Sequence, residues 1–232
     1  MCKFANKFIQ FSGASWEALA KIKDYKIKFH YKTILKKHLK WAKMGIYDEV
    51  NKILVKKYIL NNLNKNHFID LLIDSTNINN KNGIESIGLG ENKKKKQTKI
   101  SIISINNEII STKIIKGNTY DGNSIEQSII ELRKMIKFRR VNLIGDKGYH
   151  KNKKFREYLL KKYKTNIIYP QKKNQRVRTN NFKKKKLKNR YKVEHCIQQL
   201  KKFNRISLRQ DKTDISYNGF IKLAHCLLIL KI

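Results

Sequence analysis

Carboxylates are scarce in this chain. Only 17 Asp and Glu stand against 54 Lys and Arg, a formal net charge of +37 over 232 residues. There is one proline and no long Gly/Ser tract, which argues against an extended flexible linker. The three cysteines (Cys2, Cys196, Cys226) are too few for a disulfide framework and imply a reducing compartment. The His195-Cys196 and His225-Cys226 dipeptides invite a zinc reading but lack the short Cys-x2-Cys spacing of such sites. Long apolar runs are missing too. The N-terminus has no signal-like core, and the run 223–232 is too short to span a bilayer and is interrupted by His225. The expectation is a soluble, intracellular protein with no membrane partner.

Hydrophobic residues make up 40% of the chain, enough for a genuine core. The length suits one domain of about 150–170 residues with a smaller appendage. Self-repulsion at this net charge calls for a polyanionic partner, and nucleic acid is the first candidate. Lys, Asn and Ile share AT-rich codons, so genomic base composition also inflates the lysine count.

Residues 1–66 read as a small basic helical region. Ile34, Leu35, His38, Leu39 and Ala42 form one apolar stripe, and Ile46, Val50, Ile53 and Leu54 a second, with Gly45 between them. Two such helices are either a helix-turn-helix reader of DNA or a cap on the core. From residue 67 the pattern changes. Residues 68–74 read as a buried strand, and 98–105 and 108–116 as a hairpin turning at Asn106-Asn107. Residues 125–137 read as a helix capped by Ser124, and 141–144 as a strand. A helix at 155–163, a strand at 165–169, a Lys/Asn-rich loop at 171–189, and helices at 190–201 and 217–230 follow. This order describes an α/β fold, a ribonuclease-H-like mixed sheet with helices on both faces.

Against the scarcity of acids, three positions stand out. Asp74 ends the first buried strand, Asp146 follows the end of another, and Glu194 sits on the 190–201 helix. Strand ends of open α/β sheets border the crevice where ligands bind. Carboxylates gathered there suit hard divalent cations and phosphodiester chemistry. Each also has an ordinary reading: a turn cap at Asp74, a surface turn at Asp146, and an ion-pair ladder of Arg190, Glu194 and Lys201. Asp70, four residues before Asp74 and on the same strand face, is a rival ligand.

The motifs together resemble the DDE transposases of insertion sequences, specifically the IS5-like group of the IS4-type superfamily. The resemblance rests on Ile73-Asp74-Ser75-Thr76, on Lys96-Gln-Thr98-Lys99-Ile100-Ser101, on Lys116-Gly117-Asn118-Thr-Tyr-Asp121 and on Gly145-Asp146-Lys147-Gly148-Tyr149. It continues through Arg190-x3-Glu194-x6-Lys201, Phe203-Asn-Arg205-Ile206 and Arg209-Gln-Asp211-Lys212, and upstream through Trp16 and Trp41. The family signature has tyrosine where this chain has Leu187, and the chain begins closer to Trp16 than family members do. This suggests a truncated end-binding part within 1–66, ahead of a catalytic domain at 67–232. The short gap between Asp146 and Glu194 leaves no room for a large inserted domain.

What the resemblance implies is transposition: cleavage at transposon ends, then strand transfer into target DNA. Asp74, Asp146 and Glu194 would be catalytic and would hold two Mg²⁺ ions, with Mn²⁺ as a substitute. Arg190, Lys201, Lys147, Lys99 and Arg205 would contact double-stranded DNA, both terminal inverted repeats and target. Lysines 93–96 and 183–186 would line its path, Asp121 would be structural, and the assembly on DNA would be a homo-oligomer. The alternatives are a metal-dependent nuclease, a basic nucleic-acid-binding protein and an inactive domesticated relic.

Overall fold

The computed structural model describes residues 9–21, 30–62, 69–90, 95–136, 140–170 and 181–231. Lys93, Lys94 and most of the expected 171–189 loop lie outside the described residues. The sheet is built on β1 (Ile69–Asn80). On one edge it pairs antiparallel with β3 (Lys96–Ile105), Ser75 facing Ser101 and Asp74 facing Ile102. A tight turn joins β3 to β4 (Glu108–Lys116), with Asn106 at φ 52°, a left-handed conformation that asparagine tolerates. On its other edge β1 runs parallel to β5 (Val141–Ile144), and β6 (Thr165–Ile168) lies parallel beyond that. Two short strands, β2 (Gly88–Leu89) and β7 (Leu208–Arg209), extend the β3 and β1 edges. An antiparallel trio followed by a parallel pair is the ribonuclease-H-like mixed sheet expected from element order.

Eight α-helices are described: α1 (Tyr31–Lys43), α2 (Ile46–Asn62), α3 (Asp121–Met135), α4 (Lys153–Tyr163), α5 (Asn181–Lys188), α6 (Tyr191–Lys201), α7 (Asn204–Ser207) and α8 (Asp214–Leu230). Because successive strand residues point to opposite faces, the isoleucine-rich strands supply two cores at once. Leu72, Ile78, Ile100, Ile102 and Ile144 meet Val193, Cys196 and Leu200 of α6 and Tyr217, Phe220 and Ala224 of α8. Leu71, Ile73, Ile103 and Leu143 face the other way, onto Ile125, Ile129 and Leu132 of α3, Tyr149 and Leu159. Ile9, Trp16 and Ile34 join the first core. Between α1 and α2, Gly45 takes φ 69°, which a side chain would resist. His38, Tyr47, Asn51 and Val55 turn inward, so the pair packs as a cap on the core. Helix α3 begins at Asp121, not after Ser124, whose hydroxyl donates to Asp121 O within the first turn.

A buried polar chain ties the N-terminal helices to the C-terminal ones. Arg205, 3% exposed, donates from Nε to Asp211 Oδ2 at 2.9 Å, from Nη2 to Asp211 Oδ1 at 3.2 Å, and from Nη1 to Ala14 O at 3.0 Å. Ser216 Oγ donates to Asp211 Oδ1 at 2.8 Å and lies 3.4 Å from His38 Nε2, while His38 Nδ1 meets Tyr47 Oη at 2.9 Å. This corrects the reading of Arg205 as a DNA contact, since its guanidinium is enclosed and bonded to Asp211, Ala14 O and Gln210. Arg209, wholly buried, is likewise internal, bonded to Thr98 Oγ1 and Glu85 O and paired with Asp214.

Two outcomes follow from this packing. Truncating Arg205 to alanine leaves the Asp211 carboxylate buried and unpaired, so Arg205→Ala costs about 3–5 kcal/mol in urea unfolding. Burial also lowers the pKa of His38 to about 4 and that of His225 to about 3, both below the usual value. The unfolded chain therefore binds the extra protons first, and stability falls as the pH drops from about 6.5 toward 4, by at most about 1.4 kcal/mol per unit for each histidine. Urea unfolding between pH 7 and 5 measures that slope, and His38→Gln flattens it; an unchanged slope would remove His38 as a source.

Candidate functional site

Asp74 lies midway along β1 and not at its end, because β3 pairs with β1 through the polar stretch to Asn79. What ends near Asp74 is the parallel partner. Pairing with β5 stops at Leu72 opposite Ile144, two residues before Asp74 on one strand and Asp146 on the other, and the charge of Asp146 acts on Asp74. There the chain leaves the β1 edge. Gly145 N donates to Ile168 O of β6, and Asp146 caps the 3-10 turn Lys147–Tyr149, its Oδ1 accepting from Gly148 N at 2.8 Å. Position 145 tolerates no side chain, since a Cβ would lie 2.6 Å from the Tyr149 ring. Tyr149 is fully buried in the α3-side core and anchors the loop. Both aspartates thus edge one notch beside β1.

The notch is electronegative and partly desolvated. Burial raises the Asp74 carboxyl to about 6; the Ser75 amide and Arg190 oppose the shift, while Asp146 and Asp121 add to it. Ser75 N donates to Asp74 Oδ1 at 2.8 Å. Burial, with the negative charges of Asp121, Asp74 and Asp146, pushes the Tyr149 phenol well above its usual range.

Glu194 behaves differently. Val193, Cys196 and Leu200 seat α6 on the sheet, which leaves the Glu194 side chain 57% exposed, 4.0 Å from Arg190 Nη2. Arg190 is 24% exposed, its Nε is buried without a hydrogen-bond partner, and its charge also acts on Asp74. The structure therefore brings Asp74 and Asp146 together and leaves Glu194 outside, with Arg190 serving both sides. Among the described residues no group of three His, Cys, Asp or Glu side chains is arranged to hold a metal ion. That covers the His-Cys dipeptides also: Cys196 and Cys226 are buried free thiols, with Cys196 pushed by burial up to about 11.

The cations expected at DNA divide by burial. Lys147 is exposed beside Asp146, and Lys201 is half-buried, its pKa lowered by that burial. Lys99 is 7% exposed and donates to Asp121 Oδ1 and Thr119 O, both at 2.9 Å, which corrects its assignment as a DNA contact. Lys183, Lys184 and Lys185 are exposed on α5, which replaces part of the expected loop. Lys186 instead pairs with Asp70 at 2.5 Å, and Asn142 donates to the same carboxylate, so the rival ligand is already engaged. Leu187, at the position of the signature tyrosine, packs against the α6–α8 core. Asp121 was legible only as part of a motif. The structure sets it at the head of α3, held by Lys99 and by Ser75 Oγ at 2.5 Å.

No curated protein matches this chain. Among solved structures it is similar to the piggyBac transposase in a synaptic complex with hairpin DNA, at 13% identity and TM-score 0.46, over 70% of this chain and 47% of that one. It is also similar to the Mos1 mariner paired end complex with Mn, at 15% identity and TM-score 0.33, over 78% of this chain and 59% of that one. The catalytic domain of Mos1 mariner transposase matches at 13% identity and TM-score 0.33, over 79% of this chain and 89% of that one. The chain spans about half to three-fifths of the length of the first two. Residues 68–229, most of the chain, match the family described as the transposase DDE domain, and the chain belongs to that family.

Proposed function

We propose that this protein is a DNA transposase that cleaves phosphodiester bonds at transposon ends and transfers the freed 3′-hydroxyl into target DNA. The observation that carries this reading is the buried carboxyl of Asp74 within reach of the Asp146 charge, where β5 stops pairing with β1. Their hard oxygen donors fit a divalent cation, Mg²⁺ with Mn²⁺ as substitute. Glu194 would be the third ligand once it turned in from its exposed position beside Arg190. Bound there, two such ions would supply activation of the attacking oxygen and stabilisation of the leaving one.

The chain's own groups do the rest. The amides of Ser75 and Gly148 each donate to one aspartate and hold one oxygen of each in place. Arg190 lies next to both Asp74 and Glu194, so a phosphate drawing it away frees Glu194 to turn toward the notch. Lys201 and Lys147 contact phosphates near the scissile bond. The exposed lysines of α5 and the net charge of +37 favour double-stranded DNA, both terminal repeats and target, as the partner. Residues 1–66 both cap the core and serve as an end-binding part ahead of a catalytic domain at 67–232, and the protein works inside cells as a homo-oligomer on DNA. The short Asp146–Glu194 gap supports the compact IS5-like subgroup. A binding protein without catalysis would leave the desolvated Asp74 beside Asp146 without a purpose.

Asp146→Asn removes a charged ligand but keeps an oxygen for Gly148 N. It is expected to abolish metal-dependent cleavage of end DNA while DNA affinity is unchanged. Cleavage retained by this variant takes Asp146 out of the site. Lys201→Ala removes one phosphate contact, and the log–log salt slope of DNA binding becomes shallower by about 0.9. An unchanged slope removes Lys201 from the interface.

A further inference from the structure

Behind the notch, on the opposite face of the sheet, three polar side chains form a connected set that the proposed reaction does not use. Ser75 faces Ser101 across the β1–β3 ladder and Asn77 faces Lys99, so Ser75 and Lys99 point to the α3 side together. There they meet one carboxylate. Ser75 Oγ donates to Asp121 Oδ1 at 2.5 Å and Lys99 Nζ donates to the same oxygen at 2.9 Å. The ammonium offsets the carboxylate, and Asp121 also stands in the first turn of α3, where the helix dipole favours an anion. Lys99 offsets the Asp121 charge only in part, and the remainder still reaches Asp74.

Its contacts reach the notch by two routes. The first runs along β1. Ser75 and Asp74 are neighbours on a pleated strand, so tethering Ser75 toward α3 fixes the roll of the strand and sends Asp74 to the α6 side. Ser75 N then donates to Asp74 Oδ1 at 2.8 Å. The second runs through the loop that carries Asp146. A Cβ built on Gly148 would lie 3.0 Å from Asp146 Oδ1 and 3.2 Å from Asp121 Oδ2, so both carboxylates flank the same glycine. Gly122, next to Asp121, is as close to that loop: a Cβ there would sit 3.0 Å from Gly148 O. Asn123 Oδ1, one residue on, accepts from Lys151 Nζ at 2.6 Å and holds the far side of the loop to α3.

We propose that Lys99, Asp121 and Ser75 are positioning residues, a hydrogen-bonded relay that aims Asp74 and seats the Asp146 loop, and so sets the affinity of the notch for a multivalent cation. This rests on the reading of Asp74 and Asp146 as cation ligands. Asp121 acts through Ser75 and Gly148 and touches no substrate. The link that matters is the Ser75 hydroxyl, which joins Asp121 to the strand bearing Asp74.

Tb³⁺ binding to the full chain, read by tyrosine-sensitised luminescence, tests this without DNA or turnover. Tyr149 is buried close enough to Asp74, Asp121 and Asp146 to feel their charges, so it serves as the built-in donor. Ser75→Ala deletes the hydroxyl and should raise the half-saturating Tb³⁺ concentration by about tenfold or more, the usual penalty for losing an outer-shell partner. Ser75→Thr keeps the hydroxyl and should restore the wild-type value, with melting temperatures alike in all three proteins. Asp121→Ala should match Ser75→Ala; if it fails to fold, the Ser75 pair still decides. Equal half-saturation in Ser75→Ala and wild type, or a Ser75→Thr protein as weak as Ser75→Ala, overturns the relay alone. A wild-type chain whose sensitised Tb³⁺ signal survives Asp74→Asn and Asp146→Asn, or that gives no such signal, overturns instead the reading of the notch as a cation site.

Discussion

Parallel pairing of β1 with β5, Leu72 opposite Ile144, is the constraint on which the rest of the site depends. A slip of one residue would turn Asp146 away from Asp74 and also drive the alternating apolar residues of β5 into the wrong faces. Leu143 and Ile144 pack into opposite cores, so burial on both sides of the sheet enforces the register. The apolar packing that makes the fold stable is thus the same packing that aligns two carboxylates. The site does cost the fold stability, since the buried Asp74 carboxyl is raised to about 6; around it β5 ends, Gly145 turns, and Tyr149 anchors the far side.

The helix at Tyr191–Lys201 is held by the same core, yet its carboxylate is not committed to the notch. Glu194 is exposed and leans toward Arg190, which also acts on Asp74. In the free chain a guanidinium therefore stands where positive charge is wanted. That arrangement keeps like charges apart before a substrate is present, and a phosphate is the natural competitor for Arg190.

Much of this was legible in the sequence where local pattern and tertiary need coincide. The strands at 108–116 and 141–144 match the expected bounds to the residue, and α6 follows the stripe of Val193, Cys196 and Leu200. Where the two diverge, the sequence misled. The strand was expected to stop at Asp74, but β3 pairs along the mostly polar residues that follow and β1 runs on to Asn80. Ser124 resembled a cap, although Asp121 already heads the helix. Composition could not sort the cations. Lys99 and Arg205 look like any of the 54 basic residues, and only their partners, Asp121 and Asp211, show that they face inward. The parity of the β1–β3 ladder, unknown before the register is known, is what brings Lys99 to Ser75 and Asp121.

The account as a whole turns on where a cation sits. A crystal structure of the full chain with Mn²⁺, phased on the metal's anomalous signal, measures this most directly. The account predicts an anomalous peak at metal–oxygen bonding distance from both Asp74 and Asp146. A Mn²⁺ peak elsewhere on the chain, with the two aspartates left without metal at saturating concentration, would contradict it.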